Sequence, residues 1–211
     1  MIALAGRGWL VNAVDWARRK AYVEPADTAG DARWSSVREP QSFALTDAQR
    51  RVLLGCELTG VELSQRAQAQ LPRVQEEYGE RVDEGCTMVL TRDRRTRWWT
   101  WAGGRANAIL VAALEAIDAT LINDDYVYDN RQIGLRTAVT AAELRQAIHR
   151  VQAAVSGDLR NIAPFVTERA LEALKFAELL PPDLARRTLE ARLADKTGAL
   201  IVLRRPVAAA V

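Results

Sequence analysis

Residues 92–107, RDRRTRWWTWAGGRAN, hold five arginines and three of the six tryptophans of the chain. No other stretch constrains the fold as much. Cys86 to Leu90 and Thr96 to Trp101 follow a period of two, with the charged run Arg92-Asp93-Arg94-Arg95 between them, which reads as a β-hairpin. Gly103-Gly104 ends it. From Arg105 to Ile117, Ala106, Ile109, Leu110, Ala113, Leu114 and Ile117 recur at helical spacing. Along a strand, Trp99 and Trp101 share one face while Trp98 and Thr100 share the other. Two arrangements stay open on this pattern. Either all three indoles are core of a sheet covered on both sides, or one of them stacks on the bases of a single strand, worth about 1–3 kcal/mol per base. The arginines add forked donors that match phosphate and planes that stack on bases. The amides of a helix start at Gly103-Gly104 can hold a phosphate, with Arg105 and Asn107 close by; the alternative is a tight turn only.

The rest of the chain predicts an α+β fold: a small β-sheet or hairpin region over 1–40, then a mainly helical domain over 41–211 with a central hairpin at about 86–101. Leu10 to Val14 and Ala21 to Val23 read as strands joined through Asp15–Lys20. EPADTAGDARWSS is loop chemistry. Thr46 is placed to cap a helix that ends near Gly55. A longer helix over Val61–Val82 is expected to kink or break at Pro72. A further strand is expected within Tyr126–Leu135, and helices at about 140–154, 164–179 and 182–194, with Pro164 and Pro182 in first turns. The tail PVAAAV is expected to fray.

Composition narrows the function. The net charge is +2, with 26 Arg against 3 Lys, but the sum hides a polarised chain. Residues 86–110 carry five Arg and one Asp, whereas 111–130 carry five acids and no base. The longest apolar run, Ala108–Leu114, is too short for a bilayer, and the N-terminus lacks a signal-peptide layout. These features predict a cytoplasmic protein with no membrane partner and with Cys56 and Cys86 reduced. Two cysteines and one histidine do not close a zinc site. No Walker A string, GxGxxG or GxSxG occurs. His149, the one imidazole, lies beside the apolar stripe Leu144, Ala147, Ile148 and Val151, which reads as a helix surface. Asp124, Asp125 and Asp129 could surround Mg²⁺, but their wholly acidic surroundings read as a solvated loop. The sequence therefore predicts no active site on this chain.

WWTWAGGRAN resembles a signature in the C-terminal part of the Lhr-type (large helicase-related) superfamily 2 helicases. GRGWLVNAVDWARRKAYVEPAD (6–27) resembles the strand pair that follows their winged helix. LSQRAQAQL (63–71) is similar to their next helix, and LKFAELLPPDLARRTLEARLAD (174–195) to their closing helical segment. The order and spacing match over nearly the whole chain. The resemblance implies the post-winged-helix accessory domain of an ATP-dependent 3′-to-5′ helicase that tracks on single-stranded DNA. ATP and Mg²⁺ would belong to motor domains absent here, so no cofactor is expected on this chain. The implied partners are single-stranded DNA or RNA and the motor domains, in cis or in trans. Strand contact would fall on Arg97, Trp98, Arg105 and Asn107, with Arg7 as a further position. The family has earlier strands in the sheet around GRGW, so an incomplete sheet with an open edge is expected here. That fits a fragment of a larger helicase or a separate subunit. A docking module that never touches nucleic acid is the competing expectation, since the charge split suits protein complementarity.

Overall fold

The structure, a computed structural model, describes residues 2–4, 7–26, 39–124, 127–155, 158–172, 174 and 179–210. The chain divides into two compact units, Met1–Arg38 and Glu39–Val211, and its elements make an α+β fold.

In the first unit, β1 (Ile2–Leu4), β2 (Arg7–Asp15) and β3 (Lys20–Ala26) form an antiparallel sheet in that order. The turn between β2 and β3 closes through Asp15, whose carboxylate accepts the Arg18 N–H at 3.0 Å. A register shift between Val11 and Ala13 pairs Val14 with Ala21. The extra residue returns Val14 to the side that carries Trp9, Val11 and Val23, as a β-bulge does. A three-stranded sheet buries little by itself. Leu10 and Tyr22 on one side, and Val14 and Val23 on the other, are each 40% or more exposed.

The second unit is built on a four-stranded sheet of β4 (Thr87–Arg92), β5 (Arg95–Trp99), β6 (Gln132–Leu135) and β7 (Val207–Ala209), in the order β6-β5-β4-β7. Only the β4–β7 pair is parallel. Among the described residues seven α-helices accompany it: α1 (Phe43–Leu53), α2 (Gln65–Tyr78), α3 (Gly104–Asp118), α4 (Ala141–Val155), α5 (Glu168–Glu172), α6 (Pro182–Arg192) and α7 (Lys196–Arg204). The strand register sets Trp98 beside Val89 and Ile133, and Trp99 beside Met88. The Trp98 face packs against the apolar sides of α3, α4 and α7 in the main core. The Trp99 face is covered by Leu53 and Leu54 at the end of α1, by Tyr78 and by Val82. The sheet is thus closed on both sides. Helix α3 is buried almost all round, which its apolar sequence requires. Helix α4 starts on a reciprocal cap: Thr140 N–H donates to Glu143, and Glu143 N–H donates to Thr140. Its stripe Leu144, Ala147, Ile148 and Val151 is buried and His149 is exposed.

Several expectations are corrected. Helix α2 runs unbroken through Pro72, because it lies at the periphery with no buried residue, so the lost Gln68 carbonyl partner leaves no packing to disrupt. Helix α1 starts at Ser42 rather than at Thr46, which is buried inside the helix and bonds back to the Ser42 carbonyl. The strand expected over 126–135 is the shorter β6; Tyr126 lies outside the described residues. Of the helix expected over 164–179, α5 is described, and residues 173 and 175–178 are outside the description. The tail does not fray: Val207–Ala209 pairs with Thr87–Val89, and Val207 is buried. Helix α7, unforeseen, delivers it there, capped by Asp195 on the Gly198 N–H.

The two ends of this unit are tied by Asp47. It accepts from Arg50 at 3.0 Å and from Arg205 at 2.9 Å, while Arg50 reaches on to the carbonyls of Asp83 and Glu84. Burial pushes the Asp47 carboxyl up, but the hydrogen bonds and charges of Arg205 and Arg50 outweigh this and hold it below its ordinary value. A carboxyl lowered in the folded state contributes stability above its ordinary pKa, and that contribution is lost as pH falls towards the folded one. Unfolding free energy is therefore expected to decline below about pH 4. Asp47→Asn should flatten the decline and lower stability at neutral pH by about 1–3 kcal/mol, read by urea unfolding across that range.

Candidate nucleic-acid interface

The β4–β5 hairpin turns in two residues. Arg92 pairs with Arg95, and the central Asp93 and Arg94 both have positive φ, 51° and 59°. These are the angles of a type I′ turn, which suits the twist of the strands but strains any side chain other than Gly, Asn or Asp. Arg94 is held in place by Thr137, whose hydroxyl donates to the Arg94 carbonyl at 3.0 Å. The result is a rigid tip with Arg92, Arg94 and Arg95 exposed. Among the described residues, none of the three enters an ion pair; the acid of the loop beyond α3, Asp124, pairs instead with Arg136.

The five residues singled out from the sequence do not converge. Trp98 is 0% exposed, and its indole N–H donates to the Thr87 hydroxyl at 2.8 Å. A base has no access to that ring, so the expectation of stacking on Trp98 is corrected. Trp99 and Trp101 are also core. They form a cluster with Tyr78 at ring separations of 5.9–6.2 Å, with Arg81 over Tyr78 and Trp99. Of the two open arrangements, the sheet covered on both sides is the one found. Asn107 is equally buried: it accepts from the Thr100 hydroxyl at 2.7 Å and donates to the Asp129 carbonyl at 2.8 Å. Its role is to tie strand end, helix and loop together, which corrects its placement on a strand track. Arg97 is half-buried on the Trp99 face and already engaged. Arg105 is exposed, with its Nε donating to the Pro40 carbonyl at 3.1 Å. Arg7 lies in β2 of the other unit, and its side chain is outside the described residues.

The phosphate seat expected at Gly103-Gly104 is filled by the protein itself. Asn130 Oδ1 accepts from the Gly104 and Gln41 N–H groups, each at 2.9 Å. The Arg105 N–H donates to the Gln41 carbonyl. A Cβ on Gly103, where φ is +81°, would come within 2.5 Å of the Gln41 oxygen. The glycines admit the segment 39–42, not an anion.

Other chemistry is sparse. Among the described residues, no group of three His, Cys, Asp or Glu side chains is arranged to hold a metal ion, and no helix is long and apolar enough to cross a membrane. Asp125 of the acidic trio lies outside them. Burial and the neighbouring Asp83 push the Cys86 thiol up, away from the reactive thiolate. The arginines missed as a site, Arg92, Arg94 and Arg95, had a signal in the sequence: a charged run between two alternating strands is a hairpin tip, and a tip is exposed. No family model, curated protein or solved structure matches the chain.

Asn107→Ala removes the partner of two buried polar groups. It is expected to lower unfolding free energy by about 2–3 kcal/mol, checked by chemical denaturation. Any loss of nucleic-acid binding in this variant should track the unfolded fraction.

Proposed function

We propose that this chain is a non-motor module of an ATP-dependent 3′-to-5′ DNA (or DNA:RNA) helicase, and that it grips the phosphate backbone of a single strand with the β4–β5 hairpin. The motor would act in cis or in trans. The helicase assignment is supported by the four ordered stretches that resemble Lhr-type proteins. The observation that carries strand contact is the tip itself: three arginines, exposed and outside any ion pair among the described residues, on a strained two-residue turn. With Trp98, Trp99 and Trp101 buried, the grip of the tip is electrostatic and reads charge rather than base identity. Of the residues named from the sequence whose side chains are described, Arg105 and the half-buried Arg97 retain an exposed part that could extend this contact. A protein-docking role has its own support in the first unit, where Leu10, Val14, Tyr22 and Val23 stay exposed.

Fluorescence anisotropy with labelled oligo-dT tests the reading. The unmodified chain should bind with clear salt dependence. Replacing Arg92, Arg94 and Arg95 together by Ala should flatten the slope of log K against log salt by about 2, as expected for three lost phosphate contacts on a single strand. Flat titrations of the unmodified chain would favour the docking role. A second variant separates strain from function. Arg94→Gly relieves the positive φ and is expected to raise stability by about 1 kcal/mol while lowering affinity for the strand. A gain in both would remove Arg94 from the contact.

A further inference from the structure

Among the described residues, Trp16 is the one tryptophan that is exposed. The residue is 84% exposed, so the fold gains almost nothing from burying its ring. It sits in the turn Trp16-Ala17-Arg18-Arg19 that joins β2 to β3 above the pair Asp15 and Lys20. Asp15 fixes that turn: its carboxylate accepts the Arg18 N–H and lies 3.8 Å from the Arg18 Nε. Arg19 completes it with a φ of +54°, a left-handed backbone that favours glycine or asparagine. Arg18, Arg19 and Lys20 are all exposed, so the turn carries three cations beside one acid. Lys20 and Tyr22 alternate onto one face of β3, and Tyr22 is 53% exposed. An indole is thus held out in water among cations, with a second ring two residues past the last of them.

The geometry points to this turn as a nucleic-acid contact of its own, one that stacks an unpaired base on Trp16 and sets the flanking phosphates on Arg19 and Lys20. A base offers a flat π-face that an indole accepts whatever the sequence, and the phosphates on either side of it meet the cations. Arg18 is partly neutralised by Asp15 and serves the turn itself. In a duplex both faces of a base are covered by its neighbours, so the ligand is a single strand. A bilayer fits less well. Hold on a lipid surface scales with buried apolar area, and from Asp15 to Lys20 the indole has Ala17 alone as an apolar companion. The contact shares its ligand with the β4–β5 tip but uses different residues and different chemistry, a ring for the base rather than arginines for phosphate. It stands whether or not that tip touches a strand.

The full chain is labelled with fluorotryptophan and followed by fluorine NMR, the Trp16 signal being assigned by its loss in Trp16→Phe. Oligo-dT should shift or broaden that signal, whereas an abasic strand of equal length and charge should leave it in place. By anisotropy, Trp16→Ala should weaken oligo-dT binding about 5- to 150-fold, the range expected for one lost stacked base, and Trp16→Phe should restore part of it. Arg19→Gln with Lys20→Gln should flatten the slope of log K against log salt by about 1.4. These side chains are exposed, so each variant should keep its circular dichroism. Replacing Arg92, Arg94 and Arg95 together by Ala should leave the Trp16 response to oligo-dT intact, which reads failure of the hairpin tip apart from failure of this turn. A Trp16 signal unmoved at about 1 mM oligo-dT, where even a millimolar complex is half formed, would overturn the proposal. So would an equal response to the abasic strand, or a response to phosphatidylserine vesicles in place of oligo-dT.

Discussion

Everything in the second unit depends on the turn from β5 into α3. Thr100 and Trp101 both donate their N–H to the Arg131 carbonyl, and Trp101 is driven to a φ of +52°. Such a backbone persists only where its surroundings over-determine it. Here they do. The Trp101 indole donates to the Arg81 carbonyl at 2.7 Å, Asn107 binds Thr100 and Asp129 from inside the helix, and Asn130 closes the helix start. The turn aims α3 under the Trp98 face of the sheet and leaves Trp101 on the Trp99 side. One turn thereby commits the tryptophans to two separate cores.

That commitment decides what the chain has left to offer a partner. Three indoles that could have stacked on bases become packing. The glycine pair that could have cradled a phosphate admits segment 39–42. In this segment, what remains outside is what no core could accept, the guanidinium groups of the hairpin tip. Burying an unpaired charge is far more costly than leaving it in water. The strain of Arg94 belongs to the same design, because a two-residue turn keeps the arginines close. Arg50 and Arg205 show the other fate, drawn inside by the carboxylate of Asp47.

Much of this was legible in the sequence. The hairpin, the long apolar helix after it, the stripe of α4 and the exposure of His149 follow from periods of two and 3.6, which are local. The β7 strand was not legible. PVAAAV is short and has no pattern of its own, and it becomes a strand only because α7 carries Val207 to the edge of β4. Pro72 misled for the opposite reason: the rule that proline breaks helices assumes a helix that needs every bond, and α2 has no fully buried residue. Within the candidate site, the residue types were legible, since arginine and tryptophan are chemically suited to phosphate and bases. Their placement was not, since Trp98 and Asn107 are chemically suited to both a binding track and a buried tie.

The sequence by itself determined the alternation, the position of the turn, the α+β class and the polarised charge, because each rests on neighbours within a few residues. Only the tertiary structure decided which face of each strand is covered. A strand has two faces, and alternation sorts residues between them without saying which meets water. That choice came from contacts far along the chain: Tyr78 and Val82 over Trp99, Thr87 beneath the Trp98 indole, and Asn130 at the start of α3.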